Sequence, residues 1–130
     1  MEYIFITSNQ NSDLFPDNRW DNFQVELPKE LTFNNKIECS LLFFDVYPKV
    51  NLKVNIFCDI LEENCFENAL APILSTISEI PYQIKYPLFV PLKLRTVKNF
   101  KISIKSAFTH LTPTESIQQA NLVLAIREIQ

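Results

Sequence analysis

The sequence predicts an all-β fold, a sandwich or barrel of eight or nine short strands. Three observations predict it. Apolar and polar residues alternate at period two in short runs along the whole chain. Asn, Asp and Pro separate those runs. No stretch sustains the helical period well enough to supply a packed helix. The 130 residues leave room for a single domain, 1–130, and an apolar content of 47% with 11 Phe is enough to fill a core.

The first strand spans Tyr3 to Ser8 and is rich in Ile, Phe and Tyr. A long polar loop, Asn9 to Asp21, follows, with Leu14, Phe15 and Trp20 placed to pin it to the body. Asp13, Asp17 and Asp21 repeat at a spacing of four, but Pro16 and the interspersed Asn residues favour Asx-type capping over a helix face. Phe23-Gln24-Val25-Glu26-Leu27 alternates cleanly, and Pro28 is expected to end that strand. Asn34-Asn35 supplies a turn. Ile37 to Tyr47 is a long strand with Ile37, Cys39, Leu41 and Phe43 on one face. Its apolar run from Leu41 to Phe44 suggests a central strand covered on both sides, closed by Pro48. Leu52, Val54, Ile56, Cys58 and Ile60 form the next alternation.

Glu62 to Ala71 is the one stretch compatible with a helical turn, and Ile73 to Ile77 is read as a strand from its β-branched residues. Tyr82 to Lys85 and Leu88-Phe89-Val90 are short extended pieces between prolines. Val97 to Ala107 is a strong strand with Phe100, Ile102 and Ile104 on one face, opposite Lys101, Ser103 and Lys105. Thr109 to Ala120 reads as a loop, and Asn121 to Ile129 as the last strand, with Leu122, Leu124 and Ile126 inward.

Composition narrows the function. Glycine is absent, where an average chain of this length would carry roughly nine. Phosphate-binding glycine loops and the Gly-x-Ser-x-Gly nucleophile elbow are thereby excluded, because both need a backbone without a Cβ at the site. Turns must instead come from the 12 Asn and 8 Pro. The net charge of −3, with scattered Lys and Arg, speaks against a general nucleic-acid binder. Cys39, Cys58 and Cys65 have neither disulfide-framework nor zinc spacing, and Cys39 and Cys58 read as small buried hydrophobes. The opening residues lack a secretory signal pattern and no apolar run is of membrane-spanning length, so synthesis in cytosol or nucleus is expected.

A search for chemistry yields no site. His110 is the one histidine and sits in a polar segment without convergent partners. Asp59, Glu62, Glu63 and Glu67 form an acidic cluster whose spacing matches no calcium loop, and a solvated charged edge is the simpler reading. Aromatics such as Phe43, Phe44, Tyr47, Tyr82, Tyr86 and Phe89 fit core or interface packing better than base stacking in an acidic chain. The expectation is a protein that is not an enzyme and has no catalytic, cofactor-binding or metal residues.

An ordered series of short motifs resembles virion-type proteins of Polinton (Maverick) elements and adintovirus-like viruses. It begins with Ser8-Asn9-Gln10-Asn11-Ser12-Asp13, then Phe15-Pro16-Asp17-Asn18 and Phe23-Gln24-Val25-Glu26-Leu27-Pro28. Ile37 to Pro48, Ile56 to Glu62 and Leu70-Ala71-Pro72-Ile73-Leu74 continue it. Tyr86 to Leu92, Val97 to Ile104 and Leu122 to Arg127 complete it. The chain departs from that pattern at Ser106 to Ala120, where those proteins carry a glycine-containing turn. The resemblance implies a capsid-associated, jelly-roll-like antiparallel β-sandwich of about eight strands, a minor capsid or penton-like component of a virion, with other capsid proteins or further copies of itself as partners. No small-molecule substrate, cofactor, nucleic acid or membrane span is expected. Contacts would be made through Asn9 to Asp21, Glu62 to Asn68 and Thr109 to Ala120. The alternative is a small β-sandwich module that captures a host protein or peptide along an edge strand.

Overall fold

A computed structural model describes residues 1–50, 53–62, 73–77, 81–84, 87–106 and 117–129. The alternating segments form β1 (Glu2–Thr7), β2 (Asn22–Thr32), β3 (Ile37–Tyr47), β4 (Val54–Cys58), β5 (Ile73–Ile77), β6 (Tyr82–Gln83), β7 (Val90–Pro91), β8 (Thr96–Ser106) and β9 (Gln119–Glu128). Among the described residues there is no helix, and so none long and apolar enough to cross a membrane. One sheet has the order β1-β9-β3-β6, with β7 also pairing β3; the other is β2-β8-β4-β5. Every pairing is antiparallel, and the sheets share one apolar core. The fold is a β-sandwich, as the alternation and turn residues predict.

The pairing is nested. β4 pairs with β5, β3 with β6 and β7, β2 with β8, and β1 with β9. Successive pairs fall alternately into the two sheets, as when one long hairpin is rolled up. Period-two alternation then turns one face of each strand inward. Ile4 and Ile6 of β1, Leu122, Leu124 and Ile126 of β9, and Ile37, Cys39 and Leu41 of β3 are buried from one side. Phe23, Val25 and Leu27 of β2, Phe100, Ile102 and Ile104 of β8, and Val54, Ile56 and Cys58 of β4 are buried from the other.

Two strands differ from the sequence reading. In β3, Cα partners run Leu41↔Leu124 and then Phe43↔Val123, so Leu42 is an extra residue bulged out of the ladder. The bulge reverses the alternation: Phe44 and Val46 point inward and are buried, while Phe43 turns to the outer face and is only half-buried. The apolar run Leu41 to Phe44 therefore records a change of phase, and Phe43 is not the inward residue that strict alternation implies.

In β2, Pro28 does not end the strand. Pairing with β8 stops at Glu26↔Asn99 and resumes at Leu31↔Val97, with Leu27 to Glu30 bulged between. A proline is tolerated where no ladder hydrogen bond is required of it. The Lys98 ammonium donates to the bulged Leu27 carbonyl at 2.6 Å.

Other readings resolve simply. Trp20 is buried and anchors the loop after β1, Phe15 is half-buried, and Leu14 is exposed. Ile60 lies in a turn beyond β4. The helical turn expected within Glu62 to Ala71 lies, after Glu62, outside the described residues, as do Leu52, Lys85, Ala107 and residues 109–116.

Cys39 and Cys58 are buried free thiols within the core. Burial pushes the Cys58 thiol from 9.0 up to about 12, partly opposed by a backbone hydrogen bond at Ile60. Burial also raises Cys39, with the neighbouring Cys58 adding to the shift.

Two measurements test this arrangement. Phe44→Ala is expected to lower stability in urea unfolding by about 3–5 kcal/mol, and Phe43→Ala by about 1 kcal/mol. Equal losses would contradict the Leu42 bulge. The raised thiols keep their protons in the folded state, so their contribution is complete below the unfolded value of 9.0 and is lost as pH climbs toward the folded values. Above that pH, stability is expected to fall by about 1.4 kcal/mol per pH unit per thiol. Cys39→Ala/Cys58→Ala should show a correspondingly shallower alkaline slope; an unchanged slope would contradict burial of the thiols.

Candidate interaction surface

The outer face of the first sheet is built by the residues that alternation turns away from the core. The register sets Phe5 of β1 beside Val123 of β9, Val123 beside Phe43 of β3, and Phe43 beside Gln83 of β6. The next row is Tyr3, Ala125 and Ser40. Ala125 and Ser40 are small and fully buried between bulkier rows, whereas Tyr3 and Phe5 stand in solvent. An apolar strip of Tyr3, Phe5, Val123 and Phe43 results.

Polar rows border the strip. On one side Thr7, Asn121 and Asp45 align. On the other, the Arg127 Nε donates to a Glu38 carboxylate oxygen at 2.8 Å across the strands. The Phe89 ring lies over that guanidinium, 3.5 Å from ring centroid to Arg127 Cζ. An apolar centre with a polar rim is the anatomy of a protein contact surface.

The sheet margins are finished unequally. Asp21 accepts the Ile104 N–H, which places Phe23 and Val25 in hydrogen-bonded pairs with β8 and points the backbone of Asn22, Gln24 and Glu26 toward the free edge. Each of those N–H groups has a partner from the preceding loop. Asn22 donates to Arg19 O at 3.2 Å, Gln24 to Asn18 Oδ1 at 2.8 Å, and Glu26 to Asn11 Oδ1 at 3.1 Å. Asn18 Nδ2 also donates to Gln24 O at 3.0 Å, so one side-chain amide imitates a neighbouring strand. The loop thus acts as a cover for the β2 edge. Asparagine side chains supply two of the three partners, while Asp13 and Asp17 are exposed and Asp21 is buried beside Arg19, at 3.4 Å from its Nε.

Two members of the acidic cluster are described, and each is engaged. Asp59 Oδ1 accepts the Lys101 N–H at 2.9 Å, and Glu62 forms an ion pair with Lys36. Glu63, Glu67 and His110 lie outside the described residues. Among the described residues, no three His, Cys, Asp or Glu side chains converge on a metal-sized site. A depression beside Phe33 collects Glu2, Glu38, Arg127 and Glu128. Three of these groups serve structure: Glu38 holds Arg127, and Glu128 accepts from Asn34 N at 3.2 Å and Asn35 Nδ2 at 2.9 Å.

Of the three segments expected to make contacts, Asn9 to Asp21 is described in full and covers an edge, whereas residues 63–68 and 109–116 lie outside the described residues. The outer strip was not singled out from sequence. Its signal is nonetheless present in Tyr3-Ile4-Phe5-Ile6, a strand apolar on both faces. No protein-family model, curated protein or solved structure matches the chain.

Asn18→Ala removes two hydrogen bonds from the β2 edge and is expected to cost about 1–2 kcal/mol in urea unfolding. Faster amide exchange at Gln24 should accompany it. A variant with unchanged stability and unchanged Gln24 exchange would show that the loop does not protect that edge.

Proposed function

We propose that the chain is a non-enzymatic structural protein of a virus or virus-derived element, capsid-associated in the manner of a minor capsid or penton-like component, and acting through protein contacts. The observation that carries this reading is the apolar outer strip, Tyr3, Phe5, Val123 and Phe43, on a sandwich whose core is already filled from the inner faces. A second apolar face on a thin β-domain has its natural use against another protein surface. The nested strand order supports a jelly roll, the eight-position rolled hairpin, with β6 and β7 together filling one position. Double-sheet jelly rolls recur in viral capsids but also in lectins and cupins, so the fold alone does not choose among them. Four described carboxylates, Asp21, Glu38, Asp59 and Glu62, are each engaged by a cation or a backbone N–H, which suits a structural role.

Particles purified from cells carrying the encoding element are expected to contain the chain in a fixed ratio to the other shell proteins, read by quantitative mass spectrometry. Absence from particles, with recovery on a single host protein instead, would replace this reading with that of a host-directed binding module.

A further inference from the structure

The margin of the first sheet at β1 is finished differently from β2. Ser8 donates to Ala120 O at 2.9 Å, which fixes the phase of the β1–β9 ladder. Glu2, Ile4 and Ile6 therefore exchange hydrogen bonds with β9, and the backbone of Tyr3, Phe5 and Thr7 points to the open edge. At Thr7 the edge is covered: its N–H donates to Gln10 Oε1 at 2.7 Å and its carbonyl accepts the Gln10 N–H at 3.3 Å. Among the described residues nothing equivalent covers Tyr3 or Phe5. Two N–H donors and two carbonyl acceptors remain, next to side chains that are 56% and 75% exposed. The strand also lacks the proline and lysine that usually protect an edge.

We propose that this edge pairs with β1 of a second copy of the chain, antiparallel about a two-fold axis through Ile4, so that the two first sheets become one continuous sheet. This deepens the contact-making role proposed above and rests on it. The four uncovered backbone groups are self-complementary in one register. Tyr3 opposite the partner copy's Phe5, and Phe5 opposite its Tyr3, form two hydrogen-bonded pairs that satisfy all of them. The same register sets Tyr3 and Phe5 rings side by side across the junction on the outer face. Charge agrees with the pairing. Glu2 is the one charged side chain of β1; it falls opposite the partner copy's Ile6, leaving the two carboxylates about 14 Å apart along the strands, beyond the screening length at physiological salt.

The area sets the strength. Aromatic side chains of about 150–250 Å² exposed to this degree, with the strand edges themselves, bring the total to roughly 800–1,000 Å², below the ~1,200 Å² where stable interfaces begin. The pair is accordingly weak in dilute solution and gains from further contacts in an assembly.

The test is sedimentation velocity of the full chain across a concentration series, with amide exchange read by NMR. The wild type is expected to shift from monomer to dimer as concentration rises. The Tyr3 and Phe5 amides should slow in step, while Ile4 and Ile6 are protected throughout. Phe5→Lys, folded by circular dichroism, is expected to raise the dimer dissociation constant at least tenfold. Phe5→Pro removes an edge N–H that β9 does not use and should act in the same direction. A wild type monomeric at millimolar concentration would overturn the proposal, as would a dimer that survives both variants with fast Tyr3 and Phe5 amides. Protection of those amides only by another shell protein would overturn the second copy as occupant. Failure of self-pairing in a chain still found in particles leaves the capsid reading standing; a dimer absent from particles does the reverse.

Discussion

Strand parity is the constraint on which this molecule depends. In a sandwich, a segment one residue out of phase turns its core side to water and its solvent side to the core. Two register shifts lie where β2 and β3 pair with β8 and β9, and a third lies between β4 and β5 at Ile56/Phe57. Leu42 absorbs the phase change that lets Cys39 and Leu41 share a core with Phe44 and Val46. Leu27 to Glu30 absorb a larger mismatch, with Pro28 placed where the ladder asks nothing of it and Lys98 holding a freed carbonyl. The bulges preserve the core and do not interrupt it.

The absence of glycine is met by side-chain amides. Trp20-Asp21 turns the chain between Arg19 and Asn22, which hydrogen-bond to each other's backbone. Asn11 and Asn18 then lie along β2, and Asn34-Asn35 are tied down by Glu128. An asparagine side chain ends in a primary amide, whose carbonyl and one of its two N–H donors lie in nearly the geometry of a peptide group. That equivalence lets a polar loop close a sheet edge. The same residues that the sequence marks as turn formers therefore carry a second duty, visible only once the loop is seen against the strand.

Alternation made the strands legible: Ile37–Tyr47 is recovered at both ends, and β1, β8 and β9 fall within two residues of expectation at each end. Pairing partners were not legible, because nothing in a period-two pattern says which strand lies alongside which. Phe43 was placed with the inward set for a related reason. Two adjacent aromatics offer no internal sign of which belongs inside, and the bulge that decides between them is set by β9. The outer strip was half legible. Tyr3-Ile4-Phe5-Ile6 declares a strand apolar on both faces, but Val123 and Phe43 join it only through long-range register.

The contrast between β1 and β2 bears on function more directly than either the core or the depressions. Leaving a sheet edge open risks uncontrolled association, and proteins ordinarily cover, charge or kink such edges. This chain has the means to cover an edge and uses them along β2, where three successive outward N–H groups are taken by its own loop. On β1 the described part of the chain covers Thr7 alone, through Gln10. The uncovered positions are those whose side chains are large, aromatic and exposed. Stability of a lone monomer gains nothing from that combination. It is accounted for if the β1 edge and the aromatic strip beside it are one surface, kept clear for another chain.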